Sequence, residues 1–315
     1  MTNRSLPFDL DLVEGIRVNR SAAERRADTL PGRRTFKKEA QVAADIRAIQ
    51  CVDLTTLAGD DTVGRVERLC AKGLNPVRRD ILEALGLGDL NLHVGAICVY
   101  HAMVEPAIEA VGGQIPIAAV STSFPDGQGP GETRLREIEL SIAAGASEID
   151  VVIPREMALI GDWEALYNEV VCFREACGER AKLKVILGTG NLGTLENVAK
   201  ASATAIMAGA DTIKTSTGKE PTNATIPVGL VMARQIRRFR DEVVDHVVGF
   251  KPAGGIRTAG DAMKWFALML EELGEAWTRP DRFRIGASGL LTDIERQLEH
   301  LATGRYSRSD DHPLP

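Results

Sequence analysis

The sequence predicts a closed (β/α)8 barrel, a TIM barrel, carrying a helical extension at its N-terminus. Three observations predict it. Eight short runs rich in Val and Ile alternate with longer segments whose apolar residues recur at helical spacing. Those runs are apolar on both faces, the pattern of parallel strands covered by helices. A length of 315 residues holds one such barrel, about 250 residues, with room for extensions. A doubly wound open sheet is the alternative, and no GxGxxG follows the first run to support it.

Taken in order, residues 1–40 form the extension, 41–302 the barrel and 303–315 a polar tail. Strands are expected at Ile49–Leu54, Gly95–Tyr100, Ile117–Ser121, Glu148–Ile153, Leu183–Leu187, Thr212–Thr215, Val247–Lys251 and Phe283–Gly286. Asp60–Leu92 is expected to be helical. So are Thr133–Ala144, with Leu135, Ile138 and Ile142 on one face, and Asp162–Cys177, with Trp163, Leu166, Val170 and Phe173. Leu195–Met207, Val228–Phe239 and Ala262–Trp277 repeat the period. Gly145 and Gly209 stand where helices stop, and Asp162 and Thr194 where they start.

Composition narrows the function classes. Lys+Arg is 38 against Asp+Glu 44, a net charge of −6, which disfavours nucleic-acid binding. Residues 1–40 run the other way, with nine basic and six acidic residues. The arm around Arg25, Arg26, Arg33, Arg34, Lys37 and Lys38 is expected to be a solvated helical or frayed terminus; contact with an anion or a partner subunit is the alternative. Five cysteines without a CxxC pair argue against a disulfide scaffold or zinc ribbon and fit a reducing cytoplasm. No stretch of 18 apolar residues exists, so no membrane span is expected. The start, MTNRSLPFDLDLVEG, lacks the apolar core of a signal peptide and is too acidic for a transit peptide.

In a parallel barrel the chemistry sits at the C-terminal ends of the strands. Four strand ends are unusual. Lys214 falls inside the β-branched run of DTIKTSTGK and faces the barrel mouth if Ile213 packs outward. A buried lysine loses hydration of its charged form, and the neutral amine is a nucleophile able to form a Schiff base. Lys251, in VGFKPAGGIR, ends the next strand, about 4.8 Å away across the sheet, where a second cation depresses Lys214 further. Asp150 interrupts the apolar strand EIDVVI; it needs a cationic partner, as a proton relay or as a structural ion pair. Finally, Gly218, Gly254, Gly255, Gly286 and Ser288 follow strands six to eight, where backbone N–H groups can hold phosphate. The expected ligand is a small phosphorylated carbonyl compound.

The motifs VDLTTL, EIDVVI, IKTSTGK, GFKPAGGIR and RIGAS, spread from Cys51 to Tyr306, resemble those of the deoxyribose-phosphate aldolases, which are class I aldolases. The longer N-terminus and WEALYNEV are similar to the longer, animal-type branch. The resemblance implies reversible retro-aldol cleavage of 2-deoxy-D-ribose 5-phosphate to D-glyceraldehyde 3-phosphate and acetaldehyde. It implies Lys214 as the Schiff-base lysine, Lys251 as the group that lowers its pKa and joins the proton relay, and Asp150 as their partner in proton transfer. Asp53 and Thr55 would contact substrate hydroxyls or support the lysines. Lys219 would bind a sugar oxygen or the phosphate, and the glycine loops with Ser288 would hold the phosphate. No metal or other cofactor is implied, because the iminium is the electron sink, and a homodimer is the expected assembly.

The chain departs from that pattern in places. Gly188 stands where relatives often carry glutamate ahead of Thr-Gly. Gly289 stands where a hydroxyl residue is common, and His101 replaces a proline. Cys98 is expected to be a buried, inert thiol near the site. Some relatives end in a tyrosine that assists proton transfer, whereas Tyr306 is the only tyrosine in this tail. Two functions compete: a phosphosugar isomerase or different Schiff-base barrel enzyme, of which the isomerase would need a glutamate or histidine base at a strand end, and a non-catalytic phosphosugar-binding or scaffold barrel, which would be free to lose Lys214.

Overall fold

The computed structural model describes residues 2–33, 36–243, 246–308 and 311–312. Eight parallel strands run β1 (Val52–Thr55), β2 (Ala96–Tyr100), β3 (Ile117–Ser121), β4 (Glu148–Val152), β5 (Lys182–Ile186), β6 (Thr212–Lys214), β7 (Gly249–Lys251) and β8 (Ile285–Ala287). Each pairs with its sequence neighbour, and β8 returns to β1. Bridges from Phe250 to Phe283 and from Ala253 to Gly286 close the ring between β7 and β8. The result is the barrel the alternation predicts. Alternate residues of a strand face opposite sides. In β4, Ile149 and Val151 therefore join the apolar core beneath the helices, while Glu148, Asp150 and Val152 turn into the barrel.

Local sequence sets the helix ends. Gly145 and Gly209 follow their helices with φ of 106° and 95°, a region open to glycine without steric cost. The Asp162 and Thr194 side chains accept from the third residue of the helices they start, at 3.1 and 3.0 Å. Several boundaries differ from expectation, two of them for a visible reason. Ile49–Cys51 end the helix Glu39–Cys51 rather than starting β1, because an apolar run this short suits either element. The helix Ala259–Glu272 stops before Gly274, whose φ of 90° leaves Trp277 in a separate turn.

The N-terminal arm takes the helical form of that expectation, with Arg20–Thr29 a helix, and it is docked rather than frayed. Asn3 donates its backbone N–H to Asp211 at 2.6 Å and its side-chain amide to the carbonyls of Ala210 and Val247. Leu6 bonds Met207, and the Tyr167 hydroxyl donates to the Leu6 carbonyl. This strap crosses the N-terminal ends of β6 and β7. Helix Arg20–Thr29 then lies on helix Ile226–Glu242, and helix Glu39–Cys51 on Ala259–Glu272 and Leu290–Thr303. Arg26 pairs with Glu272 at 3.1 Å and Arg33 with Glu271 at 3.5 Å, so part of the basic excess is matched within the chain. Arg34 lies outside the described residues. At the other terminus the His312 ring is buried between Glu295 and Glu299, and Tyr306 stacks on His300. Helix Leu290–Thr303 starts at the C-terminal end of β8 and runs back along it, which carries Tyr306 to the end of the barrel opposite the lysines.

Candidate active site

Register brings the charged residues together. Lys214 on β6 lies beside Lys251 on β7, and Asp150 on β4 beside Lys184 on β5. Ile213 is fully buried on the outer side, which turns Lys214 inward as the sequence predicts. Asp150 Oδ2 accepts from both Lys214 Nζ and Lys251 Nζ at 2.8 Å. Lys251 also reaches Asp53 at 2.5 Å. Lys184 meets Glu148, Asp53 and Asp150 at 2.5, 3.1 and 3.1 Å. Arg284 completes the set against Asp53 at 2.6 Å and Glu148 at 3.0 Å.

Four cations thus share three carboxylates, all buried. The surplus charge must fall on the least supported cation. Lys184 touches three carboxylates, Lys251 and Arg284 two each, and Lys214 one. Burial pushes the Lys214 amine below the ordinary lysine value, and the Lys251 charge adds to this against the pull of Asp150. Burial also works against the charge of Lys251, but Asp150 and Asp53 outweigh it and hold its pKa above the ordinary value. Asp150 is likewise opposed by burial, yet Lys184, Lys214 and Lys251 hold it far below the carboxylate range. One lysine is prepared to lose its proton, beside one that keeps it.

Above this layer the barrel is apolar. Cys98, Val120, Phe124, Val152 and Ile186 line it, with Leu57 and Tyr100 at the edge. Lys214 Nζ lies 6.0 Å from the centre of the Phe124 ring. Burial raises the Cys98 thiol, which keeps it protonated. The His101 ring turns to Ser141 at 3.2 Å, on the flanking helix.

The remaining candidates separate. Asp53 is fully buried with both oxygens on cations, so it supports the lysines. Thr55, at the end of β1, donates its hydroxyl to the Asp53 carbonyl at 2.7 Å. Lys219 is exposed at the rim, and no ion pair joins it to another described residue. Gly255, in the loop after β7, and Ser288 and Gly289, at the N-terminus of the helix after β8, keep N–H groups unbonded among the described residues, as an anion site requires. Two glycines expected to offer theirs do not. Gly218 gives its N–H to Glu220 and Gly286 to the Pro252 carbonyl. Gly286 has another use: a Cβ there would stand 2.9 Å from Ala253 Cβ and 3.3 Å from Lys251 Cε, so glycine leaves room for the lysine stem. Gly254 lets Asn223 pack where its own side chain would be.

Sequence reasoning missed Glu148, Lys184 and Arg284. The signals were present. Glu148 and Asp150 are two apart on one strand and so share its face, and Lys184 breaks the apolar run LKVIL. A cavity of about 440 Å³ at the N-terminal floor of the barrel, lined by Glu148, Arg284, Gln50, His93 and Lys182, marks the far end of this network. An apolar groove of about 760 Å³ lies outside the barrel against Val42, Ile46 and Leu301, away from the lysines.

Comparison with known proteins gives a family and a fold. Residues 47–291 match the model of the DeoC/LacD family aldolases. The chain is 53% identical over 314 residues to a deoxyribose-phosphate aldolase of Mus musculus, covering 99% of this chain and 98% of that one. It is 52% identical over 315 residues to that of Homo sapiens, with the same coverage. Among solved structures, a deoxyribose phosphate aldolase from Aeropyrum pernix superposes with a TM-score of 0.60 at 22% identity, over 84% of this chain and 98% of that one, and shares the fold.

Proposed function

The chain belongs to the DeoC/LacD family of aldolases, and from that membership we propose that it cleaves 2-deoxy-D-ribose 5-phosphate reversibly to D-glyceraldehyde 3-phosphate and acetaldehyde through a Schiff base on Lys214. The observation that carries the reading is the shared carboxylate: Asp150 Oδ2 lies 2.8 Å from both lysine amines in a buried layer. Neutral Lys214 attacks the C1 aldehyde of the open-chain sugar. Lys251, held as an ammonium by Asp53 and Asp150, donates the proton with which the carbinolamine oxygen leaves as water. The iminium then takes the electron pair as the C2–C3 bond breaks, and Lys251, now neutral, takes the C3 hydroxyl proton as the aldehyde phosphate leaves; it returns that proton to C2 in the next step. The enamine left on Lys214 is protonated at C2 and hydrolysed to acetaldehyde. Asp150, bonded to both amines through one oxygen, is their partner in these proton transfers. Asp53 holds Lys251, Thr55 faces the sugar hydroxyls, and Lys219 with the N–H groups at Gly255 and Ser288 receives the phosphate.

The net charge of −6 and the basic rim residue fit a small phosphosugar as the partner rather than nucleic acid. None of the described helices is long and apolar enough to cross a membrane. The free cysteines fit a reducing cytoplasm, and a homodimer is the assembly we propose, to be checked by light scattering.

Borohydride reduction in the presence of substrate tests the chemistry. The expected product is one adduct carrying the mass of the reduced acetaldehyde or sugar imine, mapped to Lys214. Lys214→Leu should abolish both adduct and turnover while the circular dichroism spectrum is kept. A folded wild-type protein that binds the sugar without an adduct would instead support the non-catalytic barrel.

A further inference from the structure

Arg155 occupies an unusual place. It opens the short helix Arg155–Ile160 after β4, and its side chain crosses directly over Gly188, where a Cβ would stand 2.6 Å from Arg155 Cδ and 3.3 Å from Nη1. From there its guanidinium reaches three loops of the lysine-bearing face. It bonds the Asp126 carbonyl after β3 at 3.0 Å and Asn191 Oδ1 after β5 at 3.4 Å, and it pairs with Glu220 after β6 at 3.7 Å. Glu220 in turn closes its own loop. Its carboxylate accepts from the Thr217 N–H at 3.0 Å, the Thr217 hydroxyl at 2.7 Å and the Gly218 N–H at 3.2 Å. The Glu220 side chain is 3% exposed, so it is a buried carboxylate that needs a cation, and Arg155 supplies it. The loop is wedged on both sides as well: Gly190 lies under the Thr222 carbonyl and Gly254 against Asn223, and neither position has room for a Cβ.

We propose that Arg155 and Glu220 form a clamp that positions the loop carrying Lys219 for the substrate phosphate or sugar oxygens, and that Gly188 is the gap through which the clamp passes. The proposal rests on reading the barrel mouth as the aldolase site. Neither residue reaches the reacting atoms; both act through the loop. Without the clamp, residues 217–223 must be ordered at each binding event, and that entropy is charged to substrate affinity rather than to the bond-breaking step. The glutamate that relatives often carry at position 188 has no room here while Arg155 holds this course.

Steady-state kinetics of Glu220→Ala and Glu220→Gln test it, with thermal melts to establish folding. Glu220→Ala should raise KM for 2-deoxyribose 5-phosphate about tenfold or more while kcat stays within about threefold. Glu220→Gln, which keeps an acceptor for Thr217, should recover part of that loss. Arg155→Met should behave like Glu220→Ala. Borohydride trapping of acetaldehyde on Lys214 should proceed at the wild-type rate in all three, because acetaldehyde has no group for the Lys219 loop. An unchanged KM, or a fall in kcat and in acetaldehyde trapping together, would overturn the clamp. If the wild-type protein showed no turnover, the aldolase reading would fail. Calorimetric binding of the sugar phosphate would then judge the clamp alone, a Kd unchanged by Glu220→Ala refuting it.

Discussion

At the scale of single residues, what distinguishes Lys214 from its neighbours is a count of partners. Lys184, Lys251 and Lys214 are all buried, yet only Lys214 has a single carboxylate, and only its proton is loosened. Lys251 contributes to that by repulsion, so Lys251→Leu should shift the acid limb of the pH–rate profile toward higher pH and lower the rate. The sign follows from the charges: removing a neighbouring cation makes it easier for Lys214 to stay protonated, so more alkaline conditions are needed to free its amine. A profile that keeps its acid limb in place would contradict this role. Both lysines and Asp150 were legible in the sequence, because each interrupts an apolar strand. That Asp53 serves the lysines was not decided there, since a carboxylate near a strand end suits either a hydroxyl or a cation.

At the scale of elements, the helix Glu39–Cys51 carries a cost of its own. Asp45 is fully buried, and neither carboxylate oxygen has a hydrogen-bond partner among the described residues. Burial, with the Asp293 carboxylate added, pushes its pKa up to about 7 from 3.8. Below about pH 4 the folded and unfolded chains both hold the proton, and ionisation costs nothing. Between pH 4 and 7 only the unfolded chain releases it, so each pH unit takes about 1.4 kcal/mol from stability. Above pH 7 the loss is complete, on the order of 4 kcal/mol. Asp45→Asn, which has the same shape and cannot ionise, should therefore melt well above wild type at pH 8 and close to it at pH 4.5. Parallel melting curves across that range would show that Asp45 is not the group responsible. The same helix shows why its boundary with β1 was misplaced: Ile49, Cys51 and Val52 are all buried, so burial pattern alone does not separate the two elements.

At the scale of the whole molecule, the ion network runs from the lysine-bearing mouth through the barrel to its floor, where Glu148 and Arg284 border a cavity. The strap of residues 3–6 crosses that same end of the barrel. Asn3, Leu6 and the Tyr167 hydroxyl give it several hydrogen bonds, each worth about 1 kcal/mol net. Deleting residues 1–8 should lower the melting temperature by several degrees and leave kcat and KM near their wild-type values, because the strap lies opposite the lysines. A loss of turnover at a temperature where the truncated chain is still folded would show that the strap acts on the site.

Sequence by itself determined the barrel, the positions of its strands to within a few residues, and the two lysines with their aspartate. Strand periodicity is local, and a charged residue inside an apolar strand is visible without knowing its neighbours. What only the tertiary structure decided are relations between strands distant in sequence. The excess of one cation over three carboxylates needs Lys184, Glu148 and Arg284 placed beside Asp53, and the pairs involved lie up to 231 residues apart. The uses of Gly188 and Gly286 were equally hidden, because a missing side chain has meaning only once the group that fills its space is known: Arg155 in one case, Lys251 in the other.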